Sequence, residues 1–324
     1  MPLVGRAREL RRLHDLLAVL PQHGGGLLLR GEPGIGKSVL LAEAARSAAD
    51  RGMRVLRTTG VQSEARLPFA GLHQLLWPVI DQLDTLAPPQ RHAVLAAFGM
   101  TERETPDLFL IALGTLNVLS EVATAAPVVI VVEDAHWLDR STLDVLAFVA
   151  RRVESEPILL LGAVRDGFDG GGLAELRIEA LEDDAAAALL DSVAVPLEPD
   201  VRTRLLAEAA GNPLALVELP LATAQLEPGT LLPGWLPLTA RLEHAFAAQA
   251  SELPDATRRL LLVAALNDGD SLSEALMAHE NAIATLEPAL KARLVVVEGE
   301  ELRFRHPLVR SAIRQAASLP ERHA

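Results

Sequence analysis

The chain has 324 residues, half of them hydrophobic, a formal net charge of −13 and no cysteine. That length accommodates two or three domains with a sizeable core. The acid excess argues against a surface that grips nucleic acid, which needs clustered Lys and Arg, and the missing cysteines exclude disulfide and thiolate chemistry.

Aromatic residues are only 3 % and tyrosine is absent, so the apolar mass is mostly Leu, Ala and Val. Residues 1–6 lack the apolar core of a secretory leader. The most apolar stretch, residues 108–132, is interrupted by Asn117, Glu121 and Pro127, which predicts a helix followed by a strand and no membrane span. A cytoplasmic protein is the expectation.

Leu10, Leu13, Leu17 and Leu20 recur at helical spacing before the break at Gly24-Gly25-Gly26. Leu27-Leu28-Leu29 suits a buried strand, and residues 39–46 suit a helix. Between them stands Gly31-Glu32-Pro33-Gly34-Ile35-Gly36-Lys37-Ser38, with Val39 opening the helical run. Gly, four residues, then Gly-Lys-Ser between a strand and a helix is a phosphate-binding loop. Its glycines allow successive backbone N–H groups to face one concavity, and the helix N-terminus adds positive potential. Lys37 would reach the β- and γ-phosphates, and the Ser38 hydroxyl would hold Mg²⁺. The plainer alternative is a glycine-rich turn before a helix. Lys-Ser in register and a second motif downstream favour the phosphate reading.

Further along, residues 54–59 predict a strand, and 69–80, 90–98 and 107–122 predict helices. Val128-Val129-Ile130-Val131-Val132 is a β-branched run suited to a buried parallel strand. Glu133 and Asp134 follow it, the place where a strand delivers carboxylates beside phosphates. By order Glu133 takes the metal and Asp134 orients water; Asp more often comes first, which leaves the division open. The other reading is an acidic pair capping the next helix, a task Asp139 or Ser141 could perform instead. Residues 141–144 resemble a capping box, residues 157–164 a buried strand, and residues 176–179 a short fifth. Alternating strands and helices imply an α/β fold, a mostly parallel sheet with helices on both faces. Beyond residue 180 come helices at 182–193, 200–210, 255–266 and 307–317, a Pro/Gly-rich linker at 220–237, and a hairpin from 294–297 and 302–305. Helices with a terminal hairpin suggest a winged-helix unit.

Val4-Gly5-Arg6 with Glu9-Leu10, the phosphate loop, Glu133-Asp134-Ala135-His136-Trp137-Leu138-Asp139, Gly211-Asn212-Pro213 and Arg303-Phe304-Arg305-His306-Pro307 occur in that order. Together they resemble the STAND class of AAA-related ATPases, and more narrowly the ATPase region of large LuxR-type, MalT-like transcriptional regulators. The resemblance runs from Val4 to about residue 317. It implies a P-loop ATPase domain at 1–180, a helical lid at 181–235 and a winged-helix domain at 236–324. It implies ATP or ADP with Mg²⁺ as ligands, slow hydrolysis used as a conformational switch, ATP-dependent self-association, and an effector or protein partner of unstated identity.

Residue by residue, the resemblance places Val4, Gly5 and Arg6 near the adenine and Pro213 on the adenine or ribose. Arg165 takes a sensor-like position near the γ-phosphate, or is a surface arginine. His306 contacts the β-phosphate of ADP, or is a helix-start histidine bonded to backbone. Trp137 suits packing better than base stacking, and His136 has no assigned role. Such regulators continue into a repeat-built sensor and a helix-turn-helix, absent before Ala324, so a fragment or a truncated relative is expected, without direct nucleic-acid binding or membrane attachment. Nucleotide binding without hydrolysis, DNA binding through the winged helix and a P-loop phosphotransferase are the alternatives.

Overall fold

The computed structural model describes residues 3–101, 107–194, 197–223, 238–266, 282–298 and 301–317. The chain divides into two compact units: Arg6–Gly31 with Lys37–Ile178, and Met1–Gly5 with Glu32–Gly36 and Glu179–Ala324.

The first unit is built on five strands, β1 (Gly25–Arg30), β2 (Arg54–Thr59), β3 (Val128–Glu133), β4 (Ile158–Val164) and β5 (Ala174–Arg177). Their order is β2-β3-β4-β1-β5 and every pairing is parallel. β4 is buried throughout, and β3 is buried through all five of its apolar residues, as expected of parallel strands covered on two faces. The order puts β4 between the strand that precedes the glycine loop and the strand that ends in Glu133. Around the sheet run α1 (Ala7–Val19), α2 (Lys37–Asp50), α3 (Ala70–Leu76), α4 (Pro88–Ala97), α5 (Leu108–Ala125) and α6 (Arg140–Ala150). One continuous core joins Leu72, Leu75, Val94, Ile111, Leu119, Ile130, Val145 and Leu160.

α5 is long and apolar enough to cross a membrane by length and composition. It contributes Ile111, Ala112, Val118, Leu119 and Ala123 to the core of this unit, in line with a core helix. The helix expected at 69–80 stops at Leu76 and continues as a 3₁₀ run, Trp77–Thr85, kinked at Val79. Pro78 removes a donor there and disfavours continued α-helix. The capping box expected at 141–144 is displaced as well: Asp139 is the N-cap, its carboxylate accepting from the Thr142 N–H at 2.9 Å. The fifth strand lies two residues earlier than expected, because Leu27 to Arg30 pair with Ala174 to Arg177.

In the second unit come α7 (Asp183–Val193), α8 (Pro199–Ala209), α9 (Pro213–Thr223), α10 (Ala240–Ser251), α11 (Asp255–Leu266) and α12 (Ala282–Lys291). The antiparallel pair β6 (Val295–Glu298) and β7 (Glu301–Phe304) follows, then α13 (Pro307–Ala316). Leu205, Leu216, Phe246, Leu261, Leu286, Leu302 and Leu308 share its core. The linker expected from Pro220 begins later. Pro220 lies inside α9, buried between Leu216, Leu219 and Ala222, where apolar burial offsets the lost backbone bond. Residues 224–237 of that expected linker lie outside the described residues.

Candidate functional site

The glycine loop leaves β1 at Arg30 and enters α2 at Lys37. Gly34 and Gly36 both have positive φ, +76° and +106°. At Gly34 an added Cβ would stand 2.8 Å from both the Asn212 Oδ1 and the Leu214 Cβ, so the position requires glycine for space and for conformation. Ile35 is buried, and its N–H reaches back to the Glu32 carbonyl at 3.4 Å. Lys37 is 8 % exposed and donates from Nζ to the Gly31 carbonyl at 2.7 Å, closing the loop on its own first residue. Ser38 and Val39 are exposed in the first turn of α2.

Strand register aligns the remaining candidates of this unit. Arg30 pairs with Val164, and Gly162 pairs with both Leu28 and Val132. The carboxyl ends of β1, β4 and β3 therefore release Gly31, Arg165 and Asp134 at one edge of the sheet, the edge where open parallel sheets bind ligands. Glu133 is half-buried, 3.8 Å from the exposed Arg57 guanidinium, and its carbonyl accepts from the Gly60 N–H at 2.9 Å. Gly60 is a necessity that sequence reading missed: any Cβ there would collide with the Asp134 carbonyl oxygen. Asp134 is in the left-handed region at φ 46°, ψ 47°, a conformation costly for most side chains and common at functional turns.

His136 follows on the next turn. Both of its ring nitrogens are buried and neither has a hydrogen-bond partner, an arrangement that costs about 1–3 kcal/mol per unserved group. Burial pushes its pKa down to about 3, and the Arg165 and Lys37 charges push the same way. Lys37, His136 and Arg165 thus share one electrostatic neighbourhood. The His136 ring lies 5.3 Å from Trp137, and the Arg165 guanidinium lies 5.5 Å from that same indole ring. Trp137 packs against charge and imidazole.

Two side chains support this edge: Arg30, not singled out in the sequence, and Asp139, offered there only as a helix cap. Arg30 donates from Nη1 to the Arg165 carbonyl and from Nη2 to the Phe168 carbonyl, both at 2.7 Å, and from Nε to Glu175 at 2.7 Å. The guanidinium bond holds the Glu175 carboxyl below its usual range. Asp139, 3 % exposed, accepts from the N–H groups of Phe69, Gly71 and Thr142 and from the Thr142 hydroxyl. It fixes the residue after β3's acidic turn to the start of α3, where Phe69 is itself left-handed at φ 64°.

Arg6 belongs to this unit too, 5 % exposed at the start of α1, its Nη1 3.5 Å from Glu9. The other candidates belong to the second unit. Val4 is half-buried, and Gly5 takes φ +71°. Asn212 is wholly buried; its amide donates to the Pro33 carbonyl at 2.9 Å and its oxygen accepts from the N–H groups of Leu214 and Ala215. Pro213 is the first residue of α9, where its fixed φ suits a helix start. Asn212 was quoted in the Gly-Asn-Pro motif but not singled out. The signal was an Asn just before a helix-opening Pro. His306 caps α13: Nδ1 accepts from the Leu308 N–H at 3.1 Å. It is 4 % exposed and 5.0 Å from the Phe246 ring, and a backbone contact with Ala209 partly opposes the effect of its burial. Burial pushes its pKa down to about 4.

The donor set suits a nucleotide with magnesium. In the α/β unit, the Lys37 ammonium at a helix start and the side-chain oxygens of Ser38 and Glu133 are group types that match phosphate and Mg²⁺ chemistry. Among the described residues no group of three His, Asp or Glu is placed to hold a metal alone.

Residues 2–161 match the family model described as AAA ATPase domain. A curated relative, an uncharacterized protein of Rhizobium meliloti (strain 1021), is 27 % identical over 269 residues, which is 71 % of this chain. The chain spans about a quarter of that relative's length, 26 %. Among solved structures, a Walker-type ATPase of Pyrococcus abyssi superposes with a TM-score of 0.60 at 17 % identity, covering 96 % of each chain. That likeness shows the fold. A Signal Transduction ATPase with Numerous Domains from Pyrococcus horikoshii, with a tetratricopeptide repeat sensor, gives 0.41 at 19 % identity over 94 % of this chain and 42 % of its own, too low a score to support an argument.

Proposed function

We propose that the chain is a cytoplasmic ATP-binding, slowly ATP-hydrolysing signalling switch of the STAND class, a reading supported by the match of residues 2–161 to the AAA ATPase domain model. In this reading it is the nucleotide-binding part of a LuxR-type, MalT-like transcriptional regulator. The observation that carries the proposal is the shared sheet edge, where Gly31, Arg165 and Asp134 emerge from three adjacent parallel strands. Support for the narrower family is the ordered set of motifs from Val4-Gly5-Arg6 to His306-Pro307.

The loop amides of Gly31, Glu32, Pro33's neighbours and Gly34 to Val39 would cradle the phosphates, and Lys37 would exchange its Gly31 carbonyl for the β- and γ-phosphates. Bound Mg²⁺, held through Ser38 and Glu133, would neutralise phosphate charge. Asp134 orients the attacking water, and Arg165 is the candidate γ-phosphate sensor. Val4, Gly5, Arg6 and Pro213 are proposed for the base and ribose, and His306 for the ADP β-phosphate. Residues 1–180, 181–235 and 236–324 are proposed as ATPase domain, helical lid and winged-helix domain. The β6–β7 hairpin followed by α13 supports the last.

Function as a switch follows from differential affinity: ADP favours one conformer, and ATP with an effector favours another that self-associates. The net charge supports a segment that does not itself bind DNA. Glu133 standing before Asp134 favours one competing reading, nucleotide binding without turnover. Single-turnover hydrolysis of radiolabelled ATP decides between them. Phosphate release that Asp134→Asn slows by an order of magnitude supports the ATPase, and no release over hours supports the static binder. A phosphotransferase would instead label an added acceptor.

A further inference from the structure

His136 has no role in the proposal above, yet its surroundings are the least satisfied in the described structure. Two ring nitrogens are buried with no hydrogen-bond partner in the protein. A histidine that serves only packing normally bonds at least one of them. His136 stands two residues beyond Asp134, which follows β3 at the level where β4 and β1 end, with β4 between it and the exit of the glycine loop from β1. Two cations, Arg165 and Lys37, act on it electrostatically. Those cations and the burial keep the imidazole neutral, with one N–H donor and one lone pair. A partner suited to an unserved donor in a cationic neighbourhood is an anion, and since both nitrogens are closed to solvent here, the ring must be uncovered when that anion binds.

We propose that His136 is a ligand of the terminal phosphate: its N–H donates to a γ-phosphate oxygen of bound ATP, so the ring distinguishes ATP from ADP. The inference rests on the nucleotide reading of the loop and adds a contact that reading did not include. The second nitrogen then offers its lone pair to a water beside that phosphate. Because ADP has no γ-phosphate, its binding leaves both nitrogens unserved.

The test is calorimetry on the full chain with Mg²⁺ and either ADP or the β,γ-imido analogue of ATP. His136→Phe keeps a ring of similar size and removes both nitrogens. It should weaken the analogue by about tenfold or more, the worth of a hydrogen bond to a charged group, and change ADP affinity far less. Equal weakening of both ligands, or of neither, overturns the assignment. Should His136→Phe not fold, imidazole ¹⁵N spectra of the wild-type chain decide. The signal missing from His136→Gln must move with the analogue and stay with ADP; any other pattern overturns the proposal. A wild-type chain that binds neither nucleotide removes the loop reading and the His136 contact together. A wild-type chain that binds both, with an unchanged ratio in His136→Phe, removes only the contact.

Discussion

Asn212 donates its side-chain amide to the Pro33 carbonyl at 2.9 Å, across 179 residues of chain. The oxygen of the same amide serves the first-turn N–H groups of α9, and the Leu214 N–H reaches the Gly34 carbonyl at 3.2 Å. One buried side chain therefore caps a helix and pins the apex of the glycine loop. Asn212→Ala leaves the Pro33 carbonyl and the Ala215 amide without this partner, while the Leu214 N–H keeps the Gly34 carbonyl, and we expect it to lower stability to urea by about 1–3 kcal/mol. A loss below about 0.5 kcal/mol, the range of an ordinary surface change, would contradict this role.

Arg30 fastens the chain beyond β4 through two carbonyls and Glu175. Arg30→Lys keeps the charge and loses the planar fork. It should cost about 1–3 kcal/mol, and it should speed amide hydrogen exchange across residues 165–173 while leaving β3 protected. Uniform exchange rates in variant and wild type would show that the fork holds nothing.

Asp139 gathers four donors at a buried position. Asn in its place presents one acceptor oxygen and one unwelcome donor. Asp139→Asn should destabilise the α/β unit by about 2–3 kcal/mol, since bonds to a charged group are lost. Urea melts followed by tryptophan fluorescence would report it through Trp137, two residues away, and Trp77 of the same unit; an unchanged midpoint would argue against the hub.

Much of this was legible beforehand, and the reason is physical. The glycine loop reads from sequence because Gly, Lys and Ser at fixed offsets have few other uses. The strands β3 and β4 read because full burial leaves unbroken apolar runs. The start of α3 did not, because the left-handed Phe69 is held by Asp139, 70 residues away; its early end is the local effect of Pro78. Arg30 was silent because an arginine ending a strand is ordinary locally; Asp139 was readable as a cap of the next helix, which it is, but only the fold brings its bonds to Phe69 and Gly71. For Gly60 the need for glycine is the passing Asp134 carbonyl, which no local pattern announces. At His306 the sequence left two readings, and the cap bond to Leu308 is geometry.

His306 also sets a pH dependence. Its folded pKa is depressed to about 4 from the usual 6.5. Above pH 6.5 both states are neutral and the residue contributes nothing to the slope. As pH falls from 6.5 towards 4, the unfolded chain takes a proton that the folded chain refuses. Stability then drops by up to about 1.4 kcal/mol per pH unit for this one group. His306→Asn keeps a cap acceptor and cannot titrate. Its stability should be lower at neutral pH and flatter with pH by about that slope between 6.5 and 4. Parallel curves for variant and wild type would contradict a buried neutral His306.

The central claim is that the loop from Gly31 to Ser38 grips a nucleotide's phosphates. Calorimetric titration of folded wild type and Lys37→Ala with Mg²⁺ and the β,γ-imido analogue of ATP tests it most directly. The account requires saturable binding at the wild-type chain, weakened by about a hundredfold or more when the ammonium is removed. Absence of binding to the folded wild type, or full affinity in Lys37→Ala, would contradict it.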